Sequence, residues 1–251
     1  MKEQGKNKKR LDDLIVEKGL APTKNKAQAL VMSGKVLVDG KKTEKSGTFI
    51  NINSEIIIKE SEKYVSRGGL KLEKAIDQFE LNIKDKVALD IGASTGGFTD
   101  CLLQHGAKKV YAFDVGYGQL DWKLRNDQRV VTKEKINCRY LKYEDVGEFV
   151  DVITIDVSFI SLEKVIEPAI SLLKKDGLLI ALIKPQFEVG KNEVEKGGII
   201  KDIKKHQAVK NKIRNKFEQS GLNILGIIDS PILGKSGNKE YLICGVISPN
   251  P

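Results

Sequence analysis

The sequence predicts an α/β fold, in which a mostly parallel sheet carries helices on both faces, preceded by a small basic α+β unit. Three observations support this prediction. From Val87 onward, short apolar runs alternate with helical segments, and a glycine-rich turn follows the first of these runs. Residues 1–60 hold thirteen basic and eight acidic side chains, which is +5 of the formal net charge of +9. Positive charge concentrated in this way suits a polyanionic partner.

The first unit is predicted to contain two short helices and a small β-turn element. Residues 1–9 are polar and lysine-rich, and we expect them to form a frayed tail. Residues 10–19 place leucines and isoleucine on one helical face, and a second helix begins after Thr23, whose hydroxyl suits an N-cap. Short strands are predicted over residues 36–40 and 55–59. We therefore expect one domain over residues 1–60, a linker over 61–66 and a second domain over 67–251.

The second domain is predicted to be Rossmann-like. A helix carrying Lys71 begins at the double glycine Gly68-Gly69. Strands are predicted over residues 87–91, 110–114, 130–131, 150–156, 178–184, 224–228 and 241–246, and long helices over 162–173 and 204–220. Because parallel strands end at one edge of a sheet, the polar residues at their carboxyl ends should meet there.

The turn after the first strand, from Asp90 to Phe98, is typical of a nucleotide-binding site. Its glycines allow the backbone to approach a ligand closely. Asp114 follows the next strand and is placed to accept hydrogen bonds from ribose hydroxyls. The pattern D-x-G-x-S-x-G-G differs from the G-x-G-x-x-G of NAD sites, and no P-loop sequence is present. An acidic residue just before the turn favours a cofactor with a cationic amino-acid end, namely S-adenosylmethionine (SAM); a turn that binds no ligand is the alternative.

The predicted cofactor-binding residues are those of the turn and of the neighbouring strand ends. They are Asp90, Gly92, Ala93, Ser94, Gly96, Gly97, Phe98, Asp114, Asn137 and Asp156. Asn137 either faces the adenine or caps its own loop.

Two further strand ends carry charged residues. Asp156 ends the strand that begins at Val150, and Lys184 follows a run of apolar and small residues. Both should reach the same edge of the sheet as Asp90 and Asp114. A salt bridge that only closes the strand end is the alternative role for Lys184. Glu240, just before the last strand, carries little information alone.

The N-terminal unit contains the motifs Arg10-Leu-Asp-x-x-Leu, Thr23-Lys24-x-x-Ala27 and Ser33-Gly34-x-Val36-x-Val38-Asp-Gly40. In these motifs it resembles the RNA-binding module of ribosomal protein S-four. It implies recognition of structured RNA through its shape and phosphates. The candidate RNA contacts are Arg10, Lys24, Lys26, Lys41 and Arg67, each of which is alternatively a solvated surface charge.

The order Lys71, Asp156, Lys184, Glu240 resembles the K-D-K-E set of the FtsJ-type ribose 2′-O-methyltransferases. Together with the S-four-like module and the motif Ile183-Lys-Pro-Gln-Phe-Glu188, it makes the chain similar to the TlyA family, also called hemolysin A. The resemblance implies a class I SAM-dependent methyltransferase fold, with methyl transfer to a cytidine 2′-hydroxyl of large-subunit ribosomal RNA and, in some members, of small-subunit RNA. Lys184 would accept the proton or orient the hydroxyl, supported by Asp156, while Lys71 and Glu240 position the ribose.

The implied partner is ribosomal RNA or a ribosomal subunit, and a cytoplasmic protein without stable membrane association is expected. Two histidines and three cysteines without C-x-x-C spacing predict no metal site. Three alternatives remain open: a base methyltransferase, a membrane-lytic protein and a non-catalytic ribosome-assembly factor. Among base methyltransferases, the exocyclic-amine enzymes would carry an Asn/Asp-Pro-Pro-Tyr/Phe loop where this chain has Asp156-Val-Ser-Phe159. Carbon-five cytosine enzymes would need a nucleophilic cysteine near these strand ends, where this sequence has none.

Overall fold

The computed structural model of the protein describes residues 7–59, 62–190, 193–194, 197–234 and 237–247. The chain divides into two compact units between Glu62 and Lys63. The predicted linker over residues 61–66 stays a prediction. Within it, Tyr64 is buried in the second unit and the Val65 N–H donates a 2.8 Å hydrogen bond to Asp100 Oδ2.

The first unit packs two helices against short antiparallel strands. Its elements are β1 (Lys8–Arg10), α1 (Leu11–Glu17), α2 (Lys24–Met32), β2 (Val36–Val38), β3 (Lys41–Lys42), β4 (Phe49–Asn51) and β5 (Ile56–Ile58). β1 pairs with β4, and the other three strands form a sheet in the order β3-β2-β5. As predicted, the Thr23 side chain caps α2 by accepting a hydrogen bond from the Lys26 N–H. Leu11, Ile15 and Val31 lie in the unit's core.

The predicted frayed tail over residues 1–9 is wrong at its C-terminal end. Lys8 and Lys9 belong to β1, where they pair with Asn51 and Ile50. Both lysines are exposed, so this strand is held by backbone hydrogen bonds to a distant segment. The residues before Asn7 lie outside the described part of the chain.

The second unit begins with α3 (Gly68–Gln78) and continues as alternating strands and helices. The strands are β6 (Val87–Ile91), β7 (Lys109–Phe113), β8 (Val130–Lys133), β9 (Val150–Ile155), β10 (Leu173–Ile183), β11 (Leu222–Asp229) and β12 (Tyr241–Ile247). The helices are α4 (Gly97–Gln104), α5 (Trp122–Arg125), α6 (Tyr143–Val146), α7 (Glu163–Ile170), α8 (Pro185–Glu188) and α9 (Ile203–Gln219), with a 3-10 turn at Cys138–Tyr140. The predicted helix over 162–173 ends at Ile170 because Leu173 already pairs with Val150 in the sheet.

The seven strands form one sheet in the order β11-β12-β10-β9-β6-β7-β8. The strands from β10 to β8 in this order run parallel to one another. β12 runs antiparallel to both of its neighbours, β10 and β11. β6 is buried along its whole length, and apolar clusters lie on both faces of the sheet. The chain leaves β6 toward β7 on one side and returns to β9 on the other, which creates the crevice where such sheets bind ligands. The predicted α/β class is confirmed.

Candidate active site

The turn after β6 is held in a conformation that its glycines make possible. Gly92 has φ +83°, and a Cβ on it would lie 2.5 Å from the Asp156 carbonyl oxygen. Gly96 has φ +100°, and a Cβ there would lie 2.2 Å from Leu124 Cδ1. The ends of β6 and β9 can therefore approach each other only because no side chain stands between them.

Asp114 fixes the middle of this turn from the end of β7. Its Oδ2 accepts a 2.8 Å hydrogen bond from the Ser94 N–H, and its Oδ1 accepts a 2.7 Å bond from the Gly116 N–H. Each carboxylate oxygen retains a further acceptor position. Asp114 can therefore orient the turn and still accept hydrogen bonds from a ligand's hydroxyls.

Asp90 lies beneath the turn and not at its surface. It is fully buried, and it accepts hydrogen bonds from Thr99 Oγ1 at 2.7 Å and Thr154 Oγ1 at 2.9 Å. Burial raises the pKa of Asp90 to about 7, although the two threonine hydroxyls oppose this change. Asp90 joins β6, α4 and β9 from inside the unit.

The buried carboxyl of Asp90 predicts a specific pH dependence of stability. Because its pKa is higher in the folded chain than in the unfolded one, the folded chain binds more protons between about pH 4 and pH 7, and stability falls as the pH rises through this range. Asp90→Asn cannot titrate, whereas both threonine hydroxyls can adapt to the amide. Between pH 5 and pH 8 we expect the stability of the variant to rise relative to wild type by about 2 kcal/mol.

Urea unfolding followed by circular dichroism at both pH values measures this difference. Asp85→Asn is the matched control, because Asp85 is exposed and has φ +61°, which asparagine tolerates. A pH dependence of Asp90→Asn equal to that of wild type would contradict the proposed titration.

Two ion pairs meet at the carboxyl edge of the sheet. Lys184 Nζ lies 2.6 Å from Asp156 Oδ1 and donates a 3.0 Å hydrogen bond to Ser158 Oγ. Lys71 Nζ lies 2.6 Å from Glu240 Oε2. Both lysine side chains are 11% exposed. The expected pairing of Lys184 with Asp156 is therefore observed, and the other two residues form a second pair of the same kind.

The topology explains why these residues meet. β9 and β10 are parallel neighbours, so Asp156 and Lys184, which follow them, reach the same edge. Tyr241 at the start of β12 pairs with Ile183 at the end of β10, which brings Glu240 to that edge as well. Lys71 reaches it from the first turns of α3. Residues from four distant parts of the chain thus form two ion pairs at this edge.

A cavity of about 420 Å³, here called the central cavity, opens over these groups. It is lined by Ser66, Arg67, Gly68, Lys71, Gly92, Ala93, Ser94, Thr95, Gly97, Phe98, Asp156, Ser158, Lys184, Ile232 and Leu233. Within it, Asp156 Oδ1 is buried and receives the ammonium charge of Lys184, but it accepts no hydrogen bond of good geometry from the described residues. The cavity thus presents two ammonium groups, one of which is paired with a carboxylate in the cavity wall.

A second cavity of about 310 Å³, here called the Asp114 cavity, continues from the first. It is lined by Ile91, Gly92, Ser94, Phe113, Asp114, Val115, Gln119, Ile136, Cys138, Asp156, Val157, Ser158, Phe159 and Ile160. Gly92, Ser94, Asp156 and Ser158 line both cavities. Most of its remaining walls are apolar, which suits a flat ring, and Asp114 supplies an acceptor for hydroxyl groups. The pair of cavities fits a nucleoside joined to a charged tail.

Most of the residues predicted to bind the cofactor line these cavities, but three do not. Asp90 lies beneath the turn, and Gly96 packs against Leu124. Asn137 caps the 3-10 turn by accepting a 3.2 Å hydrogen bond from the Arg139 N–H, as its alternative role anticipated. Sequence reasoning missed Ser158, Phe159 and Leu233, because loop residues of ordinary type carry no pattern that marks them.

The predicted RNA contacts differ in their surroundings. Arg10 forms two hydrogen bonds with the buried Asp12, at 3.0 and 2.7 Å, and Lys24 lies 2.6 Å from Asp13 Oδ1. Lys26 and Lys41 are exposed, whereas Arg67 lines the central cavity. Arg10 and Lys24 are thus held within the first unit, and Lys26 and Lys41 point their charge to solvent.

Within the described ranges, no group of three or more histidine, cysteine, aspartate or glutamate side chains could hold a metal ion. No helix in the same part of the chain combines the length and the apolar character that crossing a bilayer requires.

Comparison with protein families identifies both units. Residues 64–246 match the FtsJ-like methyltransferase family, and residues 9–56 match the S4 domain, the S-four module predicted above. The family resemblance inferred from the sequence is therefore confirmed.

Individual relatives match almost the whole chain. The 16S/23S rRNA (cytidine-2′-O)-methyltransferase TlyA of Mycobacterium tuberculosis is 40% identical, over 93% of this chain and 88% of its own length. Hemolysin A of Brachyspira hyodysenteriae is 44% identical, over 93% of this chain and 98% of its own. A solved structure from Streptococcus thermophilus, which carries the hemolysin name, is 41% identical with a TM-score of 0.74, and the match covers 98% of this chain and 90% of that one.

Proposed function

Since the chain belongs to the FtsJ-like methyltransferase family, within its TlyA (hemolysin A) group, we propose that it methylates the 2′-hydroxyl of a cytidine in ribosomal RNA. SAM is the proposed methyl donor and the cytoplasm the proposed location. The observation that carries the proposal is the position of Lys184, whose ammonium lies beside Asp156 in a cavity continuous with the Asp114 cavity.

The residues present fit SAM. Asp114 would accept hydrogen bonds from the ribose hydroxyls, and the apolar walls that include Ile136, Cys138 and Phe159 would contact the adenine. The turn from Gly92 to Ser94 would lie against the donor, and Asp156 lines both cavities where they adjoin. Bound SAM supplies a methyl group attached to a sulfonium, which an oxygen nucleophile can attack in line.

The chain's own residues would prepare the nucleophile. A ribose hydroxyl is a poor nucleophile until its proton is removed or withdrawn by a hydrogen bond. Lys184 is placed to receive that proton at Nζ or to orient the hydroxyl, while Asp156 and Ser158 hold the amine in place. Lys71, fixed by Glu240, lines the same cavity and would contact the same ribose. Holding the hydroxyl in line with the donor would supply much of the rate enhancement.

The first unit would hold the RNA through its exposed cations. Lys26 and Lys41 are the proposed phosphate contacts of this unit, because Arg10 and Lys24 already form ion pairs with Asp12 and Asp13. Contacts to phosphates position an RNA without reading its bases.

The test is methyl transfer to ribosomal substrates isolated from a strain in which this gene is deleted. Purified protein is incubated with labelled SAM and large subunits, small subunits or free ribosomal RNA. We expect incorporation into at least one of them, mapped by mass spectrometry to a cytidine ribose, and incorporation at least about 10²-fold slower with Lys184→Met. RNA binding without methyl transfer to any substrate would favour an assembly factor. Label on a base would refute ribose methylation, and dye release from liposomes would support a membrane-active protein.

A further inference from the structure

A third cavity, of about 620 Å³, lies in the second unit outside the two cavities described above. It opens between residues 199–201, the first turns of α9, the end of β11 and the start of β12, and we call it the α9 cavity. Because β12 starts where β10 ends, the α9 cavity lies at the same edge of the sheet as Lys184.

The α9 cavity is basic. Lys201, Lys210 and Lys239 line it, and the acidic residue among its walls, Asp229, lies 2.8 Å from Lys239 Nζ. Neither Lys201 nor Lys210 has an ion-pair partner in the described ranges. Two positive charges are therefore available to an anionic ligand.

The floor of the α9 cavity is rigid. Tyr241 is buried, with its hydroxyl 3.0 Å from His206 Nδ1, and His206 Nε2 lies 2.8 Å from the Ile200 carbonyl oxygen. Lys210 Nζ lies 4.9 Å and Lys239 Nζ 5.7 Å from the centre of the Tyr241 ring. These cation–π contacts hold both amines over the floor, and Asp229 neutralises the charge of Lys239 but not that of Lys210.

Apolar side chains at the rim make the cavity unlike a simple anion site. Ile203 is 82% exposed and Leu233 is 55% exposed, and both line it. A surface that combines cations with exposed apolar groups suits a sugar–phosphate chain, which offers both phosphates and apolar sugar faces.

The position of the α9 cavity points to the part of the substrate that it would contact. Leu233 lines both this cavity and the central cavity, whereas the Asp114 cavity adjoins the central cavity through Gly92 and Asp156. With the donor in the Asp114 cavity and the reacting ribose in the central cavity, the α9 cavity is a neighbouring surface left for the adjacent nucleotides.

We propose that the α9 cavity binds the sugar–phosphate backbone of the RNA next to the methylated nucleotide, with Lys201 and Lys210 each contacting a phosphate. This inference rests on the proposed function, because it takes the substrate to be RNA. It assigns RNA contacts to the catalytic unit that are separate from those of the S4 domain.

Neutralising both lysines tests the proposal. For Lys201→Gln/Lys210→Gln we expect the Kd for unmethylated ribosomal subunits to rise about tenfold, because two phosphate contacts are lost. The plot of the logarithm of the association constant for subunits against the logarithm of the salt concentration should become shallower in slope by about 1.4–1.8. KM for the subunits should rise in parallel, while kcat at saturating subunits and the Kd for SAM stay within about twofold of wild type.

The matched control is Lys164→Gln/Arg214→Gln, which removes the same charge from exposed positions on α7 and α9 that line none of the three cavities. If the two double variants show equal losses of affinity, the effect is long-range electrostatics and the proposal is overturned. An unchanged KM with a reduced kcat would overturn it as well.

Binding measured without SAM separates this inference from the proposed function. One outcome is that wild-type protein transfers no methyl group, while the cavity variant, unlike its control, binds subunits more weakly and with a smaller salt dependence. The α9 cavity is then an RNA site and the proposed reaction is wrong. If methyl transfer occurs and the cavity variant binds as well as its control, the reaction stands and the RNA site is refuted.

Discussion

Lys184→Met is expected to reduce kcat for methyl transfer by about 10²–10⁴-fold, the range for loss of a positioned acid or base. Methionine retains the length and apolar stem of lysine but can neither accept nor donate a proton at the end of β10. The affinities for SAM and RNA should change much less than kcat, because Lys184 does not itself line the Asp114 cavity and the exposed lysines are unchanged. Single-turnover methyl transfer to ribosomal subunits measures the effect.

Lys175→Met is the control for this variant. Lys175 lies on the same strand, exposed at its other end, and its replacement should leave kcat unchanged. A kcat for Lys184→Met within tenfold of wild type would show that the amine has no direct part in the reaction.

Lys184→Arg separates the two roles proposed for this amine. Arginine keeps the positive charge and donates hydrogen bonds, but it does not accept a proton in proteins. If Lys184 is the proton acceptor, the arginine variant should be as slow as the methionine variant at every pH. If Lys184 only orients the hydroxyl, the arginine variant should keep part of the activity, because arginine still donates hydrogen bonds.

The sequence predicted that Asp156 and Lys184 lie close together, because residues that follow neighbouring parallel strands reach the same edge of the sheet. Asp156 and Lys184 each follow an apolar run, and the two runs became neighbouring strands. The sequence could not show that Lys71 and Glu240 pair with each other, since they are 169 residues apart and no periodicity links them.

Asp90 shows that a motif does not reveal which groups of the folded chain surround a side chain. Its place just before the glycine turn predicted contact with the cofactor, yet Thr99 and Thr154 enclose its carboxylate. Thr154 is 64 residues away and lies on a strand whose register only the folded sheet defines. Glu188, from another motif, is likewise buried: it accepts hydrogen bonds from the Leu162 N–H and Ser161 Oγ.

β1 shows a different limit, because local composition favours no strand there. Lys8, Lys9 and Arg10 are polar and mostly exposed, so neither alternation nor an apolar run marks them. Their pairing with β4 depends on a segment about 40 residues away, whose own strand is equally short. Strands of this kind are defined by their partner and not by their own residues.

Variants of the buried pair of Lys71 and Glu240 should show whether stability and activity depend on the pair in different ways. Glu240 is 3% exposed, so Lys71→Met leaves an uncompensated carboxylate inside the unit. Breaking a buried pair in this way is expected to destabilise the second unit by about 3–5 kcal/mol and to reduce kcat strongly. Lys174→Met is the control, because its ion pair with Asp151 is more exposed and should contribute at most about 1 kcal/mol.

The double variant Lys71→Met/Glu240→Leu decides what the pair is for. Replacing both members of a buried pair by apolar residues of similar volume is often neutral or stabilising. We therefore expect urea unfolding to show stability close to wild type, while methyl transfer stays as low as in Lys71→Met, because no ammonium then faces the ribose from α3. Recovery of activity together with stability would show that the two charges only hold α3 against the last strand. Lys184 and Asp156 would then be the charged pair that acts on the substrate.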